Sequence, residues 1–191
     1  FIDNCDATDT VMLILDRSGS MAWNTKDDNG EVFGDGIDND GDGIIDESRN
    51  DGVDNDGDGV TDEEDEESTE SRLEFLTAAA RAWLQFAKNK GVRAGVVSFS
   101  DTATLDQPFQ EVTNATIGGL EGAVNGLVSG GGTAIGTALK QTFFTFDAEA
   151  GATNKTAFLI TDGVNTTPGS PDPASCANQA RARGIRVFTI S

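Results

Sequence analysis

Two parts of the chain set oxygen-bearing side chains at alternate positions. In LILDRSGSM (13–21) an apolar run stops at Asp16, and Ser18 and Ser20 follow at every second residue. In a later segment Asp38, Asp40 and Asp42 repeat the same spacing, and Asp54, Asp56 and Asp58 repeat it again. Carboxylates and hydroxyls are hard donors, so the chemistry such rows offer is the binding of Mg²⁺, Mn²⁺ or Ca²⁺. Two further breaks have the same character: Thr133 ends the run GGGT, and Asp162 ends the apolar run of LITDG.

Composition removes several other chemistries. The 191 residues contain no histidine, which excludes imidazole-dependent triads and His-bound zinc. Cys5 and Cys176 are too far apart in sequence to form a zinc knuckle. One disulfide can join them if the protein is exported; otherwise they are plain thiols or pair outside this segment. The Gly-rich run at 130–132 lacks the lysine of a phosphate-binding loop, and no nucleophile–base pair is visible, so an enzyme is not expected. No stretch reaches the roughly 18 continuous apolar residues of a membrane span. The chain has no initiator Met and ends within the strand-like IRVFTIS, so it is expected to be a piece of something longer.

Charge is concentrated in one place. Between Asn24 and Glu70 there are 20 acidic residues against Lys26 and Arg49, within a chain whose net charge is −20. The remainder is close to neutral. Nucleic acid and anionic membranes are therefore poor partners, and cations good ones. The acidic segment is also a tandem repeat: GDGIDNDGDGIIDES (34–48) and NDGVDNDGDGVTDEE (50–64) superpose with a period of 16. Each unit resembles the start of an EF-hand loop, with side-chain ligands at the first, third and fifth positions, a sharp-turning Gly, then a carbonyl. That assigns Asp38, Asp40, Asp42, the Ile44 carbonyl and Asp46 to one Ca²⁺ loop, and Asp54, Asp56, Asp58, the Val60 carbonyl, Asp62 and Asp65 to the other. The twelfth position, a bidentate Glu in an EF-hand, is Arg49 in the first unit and Asp65 in the second. The units look more like the Asp-rich calcium repeats of thrombospondin type 3 and bacterial DNDGDG motifs.

Around this insertion, apolar strands alternate with helical patterns. Strands are expected at 11–16, 92–100, 103–110, 155–163 and 185–191, the third a short edge strand because it contains Pro108. Helices are expected at 71–91, opened by a Ser71/Glu74 capping box and closed by Gly91, at 130–146 after a tight loop, and at 173–184; the stretch 114–128 is weakly helical. The alternation predicts a doubly wound α/β domain with a mostly parallel sheet flanked by helices, interrupted by an irregular calcium-loop insertion. Ligands of such sheets bind beyond the carboxyl ends of strands, which singles out Asp16, Ser18, Ser20, Thr133 and Asp162 as one oxygen set.

DRSGSM, GGGTAIG and LITDG, in that order, resemble the von Willebrand factor A family with its metal-ion-dependent adhesion site. The resemblance covers 8–23 and 71–191 as one discontinuous domain, with 24–70 as the insertion. It implies that Ser18, Ser20 and Thr133 hold Mg²⁺ or Mn²⁺ through hydroxyls, and Asp16 and Asp162 directly or through water. Neutral hydroxyls leave the dication under-neutralised, so an open position attracts a Glu or Asp carboxylate from a partner protein. The expected function is a secreted or cell-surface adhesion module, with Ca²⁺ filling the insertion at the site's rim, since extracellular calcium suits loops of roughly 10⁻⁴–10⁻³ M affinity. The alternatives are a calcium-stiffened structural segment of a large surface protein, and an A-type partner of an AAA+ ATPase.

Overall fold

The computed structural model describes residues 9–22 and 71–190. The two acidic repeats, with the Ca²⁺ ligands expected in them, and Cys5 lie outside those residues. Five strands form one sheet: β1 (Thr10–Asp16), β2 (Arg93–Phe99), β3 (Ala103–Glu111), β4 (Lys155–Ile160) and β5 (Arg186–Ile190), in the order β3-β2-β1-β4-β5. Every pairing is parallel except β2 with β3. Four helices cover it: α1 (Arg72–Ala87), α2 (Ile117–Asn125), α3 (Ile135–Ala148) and α4 (Pro173–Ala182). This is the mostly parallel, helix-flanked α/β architecture the alternation predicts.

The central strand explains itself from its residues. All seven positions of TVMLILD are buried, because a parallel sheet is covered on both faces and its inner strands read as continuous apolar runs. Met12 and Ile14 face α3 and α4, where Phe99, Leu139, Phe143 and Phe146 complete one core. Val11, Leu13 and Leu15 face α1 and α2, where Leu76, Leu84, Leu120 and Val124 complete the other. The β4–β5 part of that second face is more open. Phe158 stacks on Phe188 with ring centroids 5.6 Å apart, and Phe188 remains half exposed.

The helix boundaries follow local chemistry where local chemistry is decisive. Ser71 caps α1 through the Glu74 amide while the Glu74 carboxylate takes the Ser71 amide at 2.6 Å, so both halves of the expected capping box form. Asp172 caps α4 through the Ser175 amide, with Pro173 at the first helical position, and Gly184 closes it at φ 70. The end of α1 departs from expectation. The helix stops at Ala87 rather than at Gly91, because the Asn89 amide turns away at φ 60 to pair with the Val112 carbonyl. The strand with Pro108 is an edge strand, as expected, but nine residues long rather than short.

Candidate metal centre

The strand order reverses at β1: the chain proceeds from it to β2 on one side, and β4 lies on the other. The crevice beyond the carboxyl ends of β1 and β4 is therefore where an open α/β sheet places a ligand. Asp16 ends β1 in that crevice and is fully buried. Its Oδ1 accepts the Ser18 amide at 2.8 Å, and its Oδ2 accepts the hydroxyl of Thr161, the residue just past β4.

From Asp16 the oxygen row continues across the crevice. The Ser18 and Ser20 hydroxyls lie 3.3 Å apart, and Ser20 donates to Asp162 Oδ1 at 2.9 Å. Arg72, the first residue of α1, holds the other Asp162 oxygen at 2.8 Å. Four of the five residues singled out by sequence thus form one connected chain of contacts. The fifth, Thr133, is 5% exposed and sits in the adjoining loop before α3. That loop is tied to the first by Gly19 N–H to Gly131 O at 2.9 Å and Gly130 N–H to Arg17 O at 2.8 Å. A Cβ on Gly163, the residue after Asp162, would stand 3.9 Å from the Thr133 hydroxyl.

Two groups that the sequence left aside hold the Thr133 loop. The Gly132 amide donates to Asp101 Oδ1 at 2.8 Å, and the Thr133 amide donates to the Thr166 hydroxyl at 3.1 Å. The glycines are needed here: a Cβ on Gly131, whose φ is 82, would sit 2.5 Å from Asp101 Oδ2, and one on Gly132 would sit 2.8 Å from the Thr167 hydroxyl. Asp101 reads in sequence as an ordinary turn residue, and no local pattern marks Thr161, Thr166 or Arg72.

The donor set fits a small divalent cation. Two carboxylates and three hydroxyls are all hard oxygen donors, the kind Mg²⁺ and Mn²⁺ take, and Ser20 Oγ stands 2.9 Å from Asp162 Oδ1 and 3.3 Å from Ser18 Oγ. Burial pushes the Asp16 carboxyl above its ordinary range, against the hydrogen bonds from Thr161 and Ser18. A buried acid so placed gains from a nearby dication. Among the described residues no three His, Cys, Asp or Glu side chains gather into a metal-holding group, so any cation here would rest on two carboxylates with hydroxyls. Cys176 is a free, buried thiol donating to the Gly136 carbonyl at 3.6 Å; Cys5, one of the partners the sequence leaves open for it, lies outside the described residues.

The sequence model of the von Willebrand factor type A domain matches residues 65–191, about two thirds of the chain. The match begins near the end of the acidic segment, so β1 and the Asp16–Ser20 loop precede it and are joined to it by the sheet. Curated proteins yield no match. Solved structures do. BatB from Bacteroides thetaiotaomicron is similar at TM-score 0.60 and 19% identity, covering 95% of this chain and 65% of that one. The von Willebrand factor type A protein from Catenulispora acidiphila gives 0.58 and 19%, covering 96% and 33%. The vWF domain of the type V pili tip protein Mfa5 from Porphyromonas gingivalis gives 0.52 and 16%, covering 84% and 39%. The chain thus spans less than two thirds of the length of these structures, and at such identities the likeness is one of fold.

Proposed function

The chain belongs to the von Willebrand factor type A domain family, and on that premise we propose that it is a non-catalytic binding module of the cell surface or extracellular space. Its ligand site is the crevice between β1 and β4, where Asp16, Ser18, Ser20, Thr133 and Asp162 hold Mg²⁺ or Mn²⁺. The observation that carries the reading is the Ser20–Asp162 contact of 2.9 Å, which joins residues 142 positions apart at the place where the strand order reverses.

The bound ion would supply an under-neutralised positive centre for an acidic group of a partner protein. The chain's own residues do the rest. Asp16 is locked by Ser18 and Thr161, so its carboxylate cannot rotate away. Ser18 and Ser20 add oxygens without adding charge. The tie between Gly19 and Gly131 keeps the Thr133 loop beside them. A pili tip domain and a type A protein of similar fold are consistent with adhesion. The acidic repeats at 34–48 and 50–64 would bind Ca²⁺ beside this rim, since the insertion leaves after Trp23 and returns at Ser71.

The test is a Mn²⁺ titration of the full chain and of Asp162→Asn, followed by the spectrum of free Mn²⁺. The expected result is that the variant binds one Mn²⁺ fewer than the wild type. Identical isotherms for the two proteins would defeat the reading.

A further inference from the structure

Arg72 stands where helix electrostatics disfavour it. It is the first residue of the 16-residue α1, and a cation at that end faces the positive pole of the helix and its unpaired amides. The capping box fixes its backbone, because Ser71 and Glu74 hold each other in both directions. Glu74 is the acidic residue of that first turn, and its carboxylate is given to Ser71, so it is committed to the cap. The guanidinium instead reaches across to Asp162 Oδ2 at 2.8 Å, with the two side chains 23% and 13% exposed. A local rule broken at a site usually has its return within that site.

We propose that Arg72 is a tethered counter-cation of the β1–β4 crevice, which neutralises Asp162 in the absence of a divalent ion and must be displaced when one binds. The proposal rests on the metal reading above and adds a control to it. Asp162 Oδ1 takes the Ser20 hydroxyl while Oδ2 takes Arg72, so both oxygens of this carboxylate are engaged before any ion arrives. An ion gaining Asp162 must either share it with a guanidinium or push that group to the rim. Either course weakens apparent metal affinity, because a dication and a guanidinium repel at this separation in a partly buried setting. Site affinity is thereby set by a residue that contributes no ligand atom. Arg72 directly follows the insertion's return at Ser71, which places this control at the junction of the two parts of the chain.

The experiment compares Mn²⁺ affinity in the full chain, Arg72→Gln, Arg72→Lys and Arg81→Gln, with Asp162→Asn as the baseline for ions bound elsewhere. Arg81 is exposed on the same helix, so its replacement makes the same change in net charge away from the crevice. Arg72→Gln should bind the Asp162-dependent ion about tenfold more tightly at low salt, Arg72→Lys should fall between, and Arg81→Gln should match the wild type. Equal or weaker binding by Arg72→Gln, or an equal gain in Arg81→Gln, overturns the proposal while leaving the metal site standing. Absence of any Asp162-dependent ion from both wild type and Arg72→Gln removes the site itself, and the proposal with it. Far-UV circular dichroism of Arg72→Lys and Arg72→Gln checks that α1 is intact in both.

Discussion

The Asp101 carboxylate accepts the Gly132 amide at 2.8 Å, joining the loop after β2 to the loop that carries Thr133. Asp101 is itself exposed, so this bond adds little to global stability, on the order of 1 kcal/mol or less. Its consequence is local. Asp101→Ala should leave the melting temperature nearly unchanged but lower Mn²⁺ affinity several-fold, because the Thr133 loop loses one of the contacts that set its position. Calorimetric titration against the wild type decides this; unchanged affinity would return Asp101 to the status of a turn residue.

Thr133 tests the hydroxyl set more directly. Its backbone is held on both sides, by the Thr166 hydroxyl on the amide and by the Thr166 and Thr167 amides on the carbonyl, so Thr133→Ala removes one oxygen without releasing the loop. We expect metal affinity to fall about tenfold or more, with near-ultraviolet circular dichroism unchanged. Under the proposed adhesion function, attachment to a partner's carboxylate should be lost with it. A structural segment that does not use the site would tolerate the change in every respect but metal binding.

The legibility of this chain in its sequence has a physical pattern. Val11–Leu15 reads as a buried strand because a parallel sheet demands apolar residues on both faces, and Asp16, Ser18 and Ser20 stand out as polar breaks in register with it. Asp162 stands out for the same reason at the end of β4. The capping box was visible because its two residues lie three apart. Thr161 and Arg72 were invisible because their partners are 145 and 90 residues away, and only the strand order brings them together. The end of α1 failed likewise: Gly91 carries the local stop signal, but a long-range bond from Asn89 to Val112 acts first.

Gly136 is a packing constraint that composition alone does not reveal. A Cβ added there would lie 1.9 Å from the Pro171 carbonyl oxygen, a backbone atom that cannot swing aside. Gly136→Ala should therefore cost about 3 kcal/mol or more by forcing α3 from the loop that leads into α4. Chemical denaturation should show the midpoint falling with the slope preserved. Gly122→Ala is the control, since a Cβ there meets no atom within 4 Å; it should be neutral or slightly stabilising.

Asp16 gives the site a pH dependence of defined sign. Burial raises its carboxyl above the ordinary 3.8, so between that value and the raised one the folded chain holds a proton that the unfolded chain has lost. Stability in chelator consequently contains a term that falls as pH rises through this window and stays low above it. Metal binding requires the charged carboxylate and must release the same proton. The rise in melting temperature produced by Mg²⁺ should thus shrink as pH falls into the range where the buried Asp16 carboxyl takes up its proton. Thermal melts with Mg²⁺ and with chelator across that range measure it, and a constant increment would show that Asp16 is not among the ligands.

The insertion can be separated from the fold because its two ends share a core. Met21 lies in the turn just before it and Leu76 in the first turns of α1, and both belong to the cluster on that face of the sheet. Removing residues 25–67 leaves Trp23, Asn24 and Ser68–Glu70 to connect them. Replacing a connection of about 48 residues by one of about five lowers the entropy of closing the loop, a gain of roughly 2 kcal/mol by the logarithmic dependence on length. The shortened protein should therefore be folded and at least as stable as the full chain in chelator. It should also lose Ca²⁺ binding while keeping the Asp162-dependent Mn²⁺, because the repeats and the crevice are separate oxygen sets. Parallel calorimetric titrations with the two metals measure both. Ca²⁺ bound with unchanged stoichiometry by the shortened protein would show that the repeats are not the calcium sites, and loss of the Mn²⁺ site would show that the insertion supplies part of the crevice.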